Sequence, residues 1–324
     1  MTASSPANPV VPKSDPASIR PPLGVGAGAF CGLAAAVLYT GANIALRDSV
    51  HVDPFLVSAV KAAPTVLVLG PFAIWLRSRG DVLATSYRNV PRFVLVSLLG
   101  QFVGNAAFQF ALEIIGLAAS VPITLGTLII GGAISGRVLL GEPVRMKTVL
   151  AIILLIAAVI VLSMPDSSAS VASESDSRPA WVGALYAVFS GLAYALFGAV
   201  MRQTMIGGVS PTMTMLISGV VGTVSLWSAT LVVVGVEGVA LIDARSWGVM
   251  ALAGVFNFTA FIALSSALKS LPVVAVNLIN ASQVAMAAIA GVIIFGEPIT
   301  MTLLTGIALT FAGLAVLAKR VPRR

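Results

Sequence analysis

The chain has 324 residues, 58% of them hydrophobic and only 10% charged, with a mean hydropathy of +1.03. Soluble domains carry roughly 25% charged residues, so an ordinary water-soluble globule is excluded. The net charge of +7 does not point to a nucleic-acid partner, because the basic residues are scattered between apolar stretches and form no stripe.

About 20 apolar residues, at 1.5 Å of rise each, cross the roughly 30 Å of bilayer hydrocarbon. Cut at its charged residues, the chain yields ten pieces of that size. Residues 1–23 are rich in Pro, Ser and Ala and read as a disordered cytoplasmic tail. Spans at 24–46, 55–76, 93–112, 115–136 and 146–164 make a first half, residues 24–164. A polar, Ser-rich linker follows at 165–180. Spans at 181–201, 211–234, 247–267, 272–295 and 300–318 make a second half, residues 181–319, before a basic cytoplasmic tail at 320–324. The first span is too long for the apolar region of a secretory signal. The single cysteine, Cys31, excludes an internal disulfide and reads as a packing residue of span 1.

The halves are copies. Ala111 to Pro143 and Ala267 to Pro298 both open on Ala-Leu and close on Gly-Glu-Pro, the second tripeptide 155 residues after the first. Gly32-Leu33-Ala34 pairs with Gly191-Leu192-Ala193, Asp53-Pro54 with Ser210-Pro211, and Met146 with Met301. Five crossings per copy invert the second half. With the N-terminus in the cytoplasm, fifteen of the nineteen Lys and Arg residues fall inside, Arg47, Arg178 and Arg245 fall outside, and Lys61 lies within a span. That bias is the one that orients membrane proteins. Trp181 and Trp247 then anchor outer ends and Trp75 an inner one. The expected fold is all-α and integral to the membrane, with ten transmembrane helices as two inverted five-helix repeats. Secondary transporters use this plan.

Catalysis finds no footing. His51 is the only histidine, so no His-x-x-x-His pair can hold zinc. There is no Gly-x-Ser-x-Gly elbow, no span with two carboxylates, and no phosphate loop for ATP. No enzyme, metal or cofactor is expected.

Polar residues within spans are costly in lipid and face the bundle interior. Gln101, Asn105 and Gln109 recur every four residues in span 3, on one helical face. Asn277, Asn280 and Gln283 recur every three in span 9, and Asn257 matches Gln101 through the repeat. Tyr39, Asn43 and Tyr194 add donors in spans 1 and 6. Such amides either join helices, at roughly 0.6 kcal/mol per pair, or line a central polar cavity; matched faces in both repeats favour the cavity. Lys61 in span 2 has two readings. It snorkels outward to Asp53 or Asp48, or it faces the cavity and holds a substrate carboxylate or phosphate. Pro64, one turn on, lets helix 2 bend. Glu142 and Glu297 read as helix stops at the interface. The Gly28/Gly32 and Gly132/Gly136 pairs serve close helix packing, with a homodimer face as their other use.

The two Ala-Leu…Gly-Glu-Pro stretches, the basic Lys61 after Asp53-Pro54-Phe55, and the 5 + 5 layout resemble the drug/metabolite transporter superfamily, in its ten-helix EamA branch. The resemblance covers residues 24–318. It implies transport of small metabolites, and a basic residue at the Lys61 position facing the cavity. The small four-helix drug exporters of that superfamily use a Glu in helix 1 to exchange protons for cationic drugs. Span 1 here has no carboxylate, which argues against that chemistry.

The expectation is a secondary transporter in a bacterial inner membrane with both termini cytoplasmic. It exports a small anionic or zwitterionic, amino-acid-like metabolite by alternating access. Its candidate substrate-binding residues are Lys61, Gln101, Asn105, Gln109, Tyr194, Asn257, Asn277 and Asn280. Its partners are the substrate and the lipid bilayer. The alternative is a non-transporting sensor or assembly partner that shares the fold.

Overall fold

The computed structural model describes residues 25–140, 146–164, 178–270, 279–280 and 282–318, and every named element among them is helical. Helix α1 is Val25–Asp48 and α2 is Pro54–Ser78. Helix α3, Val90–Leu98, runs through a π-helical segment, Leu99–Gly104, into α4, Asn105–Leu140. Then come α5 (Met146–Leu162), α6 (Ala180–Ile206), α7 (Pro211–Val233) and a short α8 (Gly235–Ala240). Helices α9 (Ala244–Ser270), α10 (Ser282–Phe295) and α11 (Met301–Ala318) are the last of the described elements.

Among the described residues, six helical stretches are long and apolar enough to cross a membrane, and α5, α10 and α11 supply shorter apolar helices. One of the six, Val90–Leu139, is 50 residues long and holds both the third and the fourth expected spans. It is divided at Gly116, where φ is 73° and ψ is −176°. A side chain disfavours that conformation, so glycine marks the joint. Most of the expected span 272–295 falls in α10; residues 271–278, like the first Gly-Glu-Pro, lie outside the described residues. The π segment and α8 were not anticipated from the sequence.

Matched dipeptides start matched helices. Asp53 accepts hydrogen bonds from the Phe55 and Leu56 amides, with Pro54 as the first residue of α2. Ser210 accepts from the Met213 amide, with Pro211 opening α7. Proline suits that position because its missing N–H would be unpaired anyway, and each cap contributes about 1 kcal/mol.

Helix α1 packs chiefly on α9, α4 on α6, α5 on α11, and α2 on α7. In lipid, helices associate by van der Waals contact between close backbones, which small residues permit. Gly32 in α1 faces Ile279, and Gly191 in α6 faces the Thr124 and Thr127 turn of α4. An apolar core of Leu46, Leu56, Val57, Phe108, Leu112, Leu117 and Met250 knits α1, α2, α4 and α9.

The molecule has two polar ends. Helix α2 spans about 37 Å at the standard rise, so Asp53 and Arg79 lie at opposite ends. At the Asp53 end, Arg178 pairs with Glu113, Arg245 with Asp48 at 3.6 Å, and His51 bonds Ser246 at 2.9 Å. At the Arg79 end, the Thr85 amide donates to the Gly208 carbonyl at 2.8 Å and the Ser210 amide to the Leu83 carbonyl at 2.9 Å. There, too, Arg92 donates to Gln203.

Candidate functional site

Lys61 sits two turns into α2 and is only 9% exposed. Its Nζ donates to Asn105 Oδ1 at 2.7 Å. The Tyr194 hydroxyl donates to the same oxygen, also at 2.7 Å. Two donors fix that atom as oxygen, which turns the Asn105 amide nitrogen toward the π segment. There it donates to the Gln101 carbonyl at 2.7 Å and to Gln101 Oε1 at 3.1 Å. The Asn105 side chain thus spends all its hydrogen-bonding capacity on α2, α6 and the π segment.

The π segment explains part of this arrangement. It widens the turn just before Asn105 and disturbs the normal backbone ladder, a feature common at functional sites. The Gln101 carbonyl within it is taken up by the Asn105 amide. Three glycines set the depth of the cluster. A Cβ on Gly254 of α9 would lie 3.0 Å from the Lys61 carbonyl and 2.9 Å from Pro64 Cγ. One on Gly104 would lie 3.0 Å from the Tyr194 ring, and one on Gly222 of α7 2.9 Å from Gln101 Cβ. Ser190 donates to the Gly104 carbonyl at 2.8 Å, holding α6 against the π segment.

Lys61 does not snorkel to an acid. Asp53 caps α2, Asp48 faces Arg245, Glu113 pairs with Arg178, and Glu297 pairs with Arg47. Among the described residues the Lys61 ammonium meets an amide oxygen and no carboxylate. A buried cation without a counter-charge is expensive, and it supplies an attraction for an incoming anion.

The other candidates are placed differently. Gln109, one turn beyond Asn105, points toward α1, where its Nε2 donates to the Leu46 carbonyl at 2.9 Å. Its Oε1 is buried and, among the described residues, has no hydrogen-bond partner. Asn257 is half-buried on α9, and Asn280 accepts from Gln283 at 3.2 Å. Asn277 lies outside the described residues. The geometry therefore brings together Lys61, Gln101, Asn105 and Tyr194, joining both halves of the chain.

Two acidic sites have structural partners. Asp243 opens α9 by accepting from the Ser246 amide and hydroxyl, which holds its carboxyl below the usual carboxylate range. Ser246 is buried, and its hydroxyl is committed to Asp243 while bonded to His51, so the trio is a helix cap and not a nucleophile with its base. Glu297 is more than a helix stop: its carboxylate reaches into the break of α4 and bonds the Leu117 and Ala118 amides. The signal for this was in the sequence, in Gly116 and the second Gly-Glu-Pro, but nothing in the spacing joined them. Among the described residues, no group of three or more His, Cys, Asp or Glu side chains could hold a metal ion.

Comparison with known proteins agrees with this architecture. The profile of the EamA-like transporter family matches twice, over residues 26–164 and 181–319. No curated protein matches the chain. A solved crystal structure superposes with a TM-score of 0.60 at 17% sequence identity, covering 90% of this chain and 96% of its own. At that identity the likeness speaks to the fold alone.

Proposed function

The chain belongs to the EamA-like transporter family, and from that premise we propose a secondary carrier that exports a small anionic or zwitterionic, amino-acid-like metabolite. The observation that carries the reading is Lys61, a buried cation held by Asn105 and left without a carboxylate partner among the described residues. A substrate carboxylate or phosphate supplies the missing charge, while Gln101 and Tyr194 offer further polar contacts. The same cation repels cationic drugs. The sequence holds no phosphate loop for ATP, so the gradient of the substrate or of a coupled ion drives transport.

The proposed topology is ten spans in two inverted halves, with the Arg79 end cytoplasmic and the Asp53 end outside. Two features support it. Helices α2 and α7, equivalent by their Asp53-Pro54 and Ser210-Pro211 openings, begin at opposite ends. The contact of Gly32 with Ile279 is matched by that of Gly191 with Thr124, and residues 124 and 279 are equivalent through the 155-residue repeat. Lys61 contributes from the first half and Tyr194 from the second, so rocking of one half against the other remakes the site at each turnover.

The test is transport by the purified protein in proteoliposomes, against a panel of labelled acidic, zwitterionic and cationic metabolites. Counterflow of an anionic or zwitterionic compound is expected. Selective transport of cations would overturn the proposed substrate class.

A further inference from the structure

The break in α4 is closed by an ion pair from elsewhere in the chain. The Leu117 amide donates to Glu297 Oε1 at 2.6 Å and the Ala118 amide to Oε2 at 2.8 Å. These are the first free amides of the half-helix that follows Gly116, where the helix dipole favours an anion. Arg47, in the last turn of α1, donates from Nε to the same Glu297 Oε1 at 3.2 Å. From Nη1 it donates at 2.7 Å to the Leu112 carbonyl, near the end of the preceding half-helix. Discontinuous helices in secondary carriers commonly offer such ends to a substrate or coupling ion. Here the chain fills the anionic position with Glu297 and the cationic one with Arg47.

Small residues make room for the contact. A Cβ on Gly116 or on Gly291 would collide with the Glu297 carboxyl. Glu297 follows Gly296, at φ 65°, and its amide donates back to the Gly291 carbonyl at 3.0 Å. Both charged side chains are largely shielded, at 21% exposure for Arg47 and 11% for Glu297. The pair therefore ties α1 and both segments of α4, from the first half, to the corner between α10 and α11, from the second. Asn105 lies two helical turns from Leu112 on the same half-helix, about 10 Å along its axis.

We infer that Arg47 and Glu297 form the latch of a gate at the Asp53 end, closed in this structure and released when the site opens to that side. The inference rests on the carrier reading, because a latch serves a site that must open. A ligand that shifts Asn105 moves the segment whose end Arg47 holds. Arg47 and Glu297 are thus positioning residues that act on the site through α4.

The test needs no substrate, so its failure is separable from failure of the carrier reading. Ala45, 6% exposed and two residues before Arg47, is replaced by cysteine in a Cys31→Ala background. A charged, membrane-impermeant thiosulfonate is added from the Asp53 side, and the modification rate is compared with and without Glu297→Gln. The rate is expected to rise about tenfold, within the roughly 5–150-fold range of conformational couplings. Exchanging the charges, with Arg47→Glu and Glu297→Arg together, is not expected to restore slow labelling, because an arginine cannot accept from the Leu117 and Ala118 amides. Arg47→Lys, which keeps the charge but loses the forked reach to Leu112, is expected to give a smaller rise and serves if Glu297→Gln does not fold. An unchanged rate with a lowered thermal midpoint would reduce the pair to a static cap. Full restoration by the charge exchange would reduce it to an ordinary ion pair. Either outcome overturns the latch.

Discussion

Replacing Lys61 by methionine separates a residue kept for function from one kept for the fold. The two side chains are similar in length and unbranched, so methionine fits the space with little repacking. A lysine at membrane depth costs roughly 2.5–3.5 kcal/mol on insertion scales. Its charge-assisted bond to Asn105 offsets about 1.5–3 kcal/mol of that. After substitution Asn105 Oδ1 still accepts from Tyr194 at 2.7 Å, so no buried acceptor is orphaned. The balance falls between about zero and 2 kcal/mol in favour of methionine. The thermal midpoint of Lys61→Met in detergent is therefore expected to be unchanged or a few degrees higher, while transport in proteoliposomes is lost. Lys61→Arg keeps the charge but changes its geometry, and partial transport is expected. A midpoint several degrees lower in Lys61→Met would make the lysine a structural element. Full transport by that variant would remove it from the site.

Asn105→Leu is expected to have the opposite effect on stability, since it strands the Lys61 ammonium and takes a hydrogen-bond partner from the Tyr194 hydroxyl and the Gln101 carbonyl. Each lost partner costs about 1–3 kcal/mol, so a clear fall in thermal midpoint and in transport is anticipated, and an unshifted midpoint would contradict the bonding described. Gly254→Ala places a methyl group 3.0 Å from the Lys61 carbonyl and forces α2 away from α9. A loss of about 1–3 kcal/mol, with weakened substrate affinity, is the expected outcome of denaturation and binding curves; wild-type values for both would refute the role given to this glycine. For topology, single cysteines at Ser173 and Val239 in a Cys31→Ala background should label from outside intact cells, and those at Arg79 and Arg145 should not. External labelling of the Arg79 loop would break the ten-span assignment.

What the sequence determined by itself was the class of environment, the repeat and the family. These are one-dimensional properties. Apolar runs of membrane length, charges between them, and two Gly-Glu-Pro stretches 155 residues apart can be counted without knowing any contact. The polar candidates were legible too, because each amide or charge in a span stands out against lipid-like neighbours. Which of them meet was decided only by tertiary structure. Spacing put Gln101, Asn105 and Gln109 on one face, yet Asn105 turns to Lys61 and Tyr194 while Gln109 turns to the Leu46 carbonyl. The division comes from which helices pack beside each turn, and from the π segment before Asn105, neither of which a periodicity contains. Glu297 makes the same point more strongly. Its partners at Leu117, Ala118 and Arg47 lie 180, 179 and 250 residues away in sequence. Local sequence made it a helix stop beside a proline. Only the folding of the second half against the broken helix of the first gives its carboxylate two amides and a guanidinium to hold.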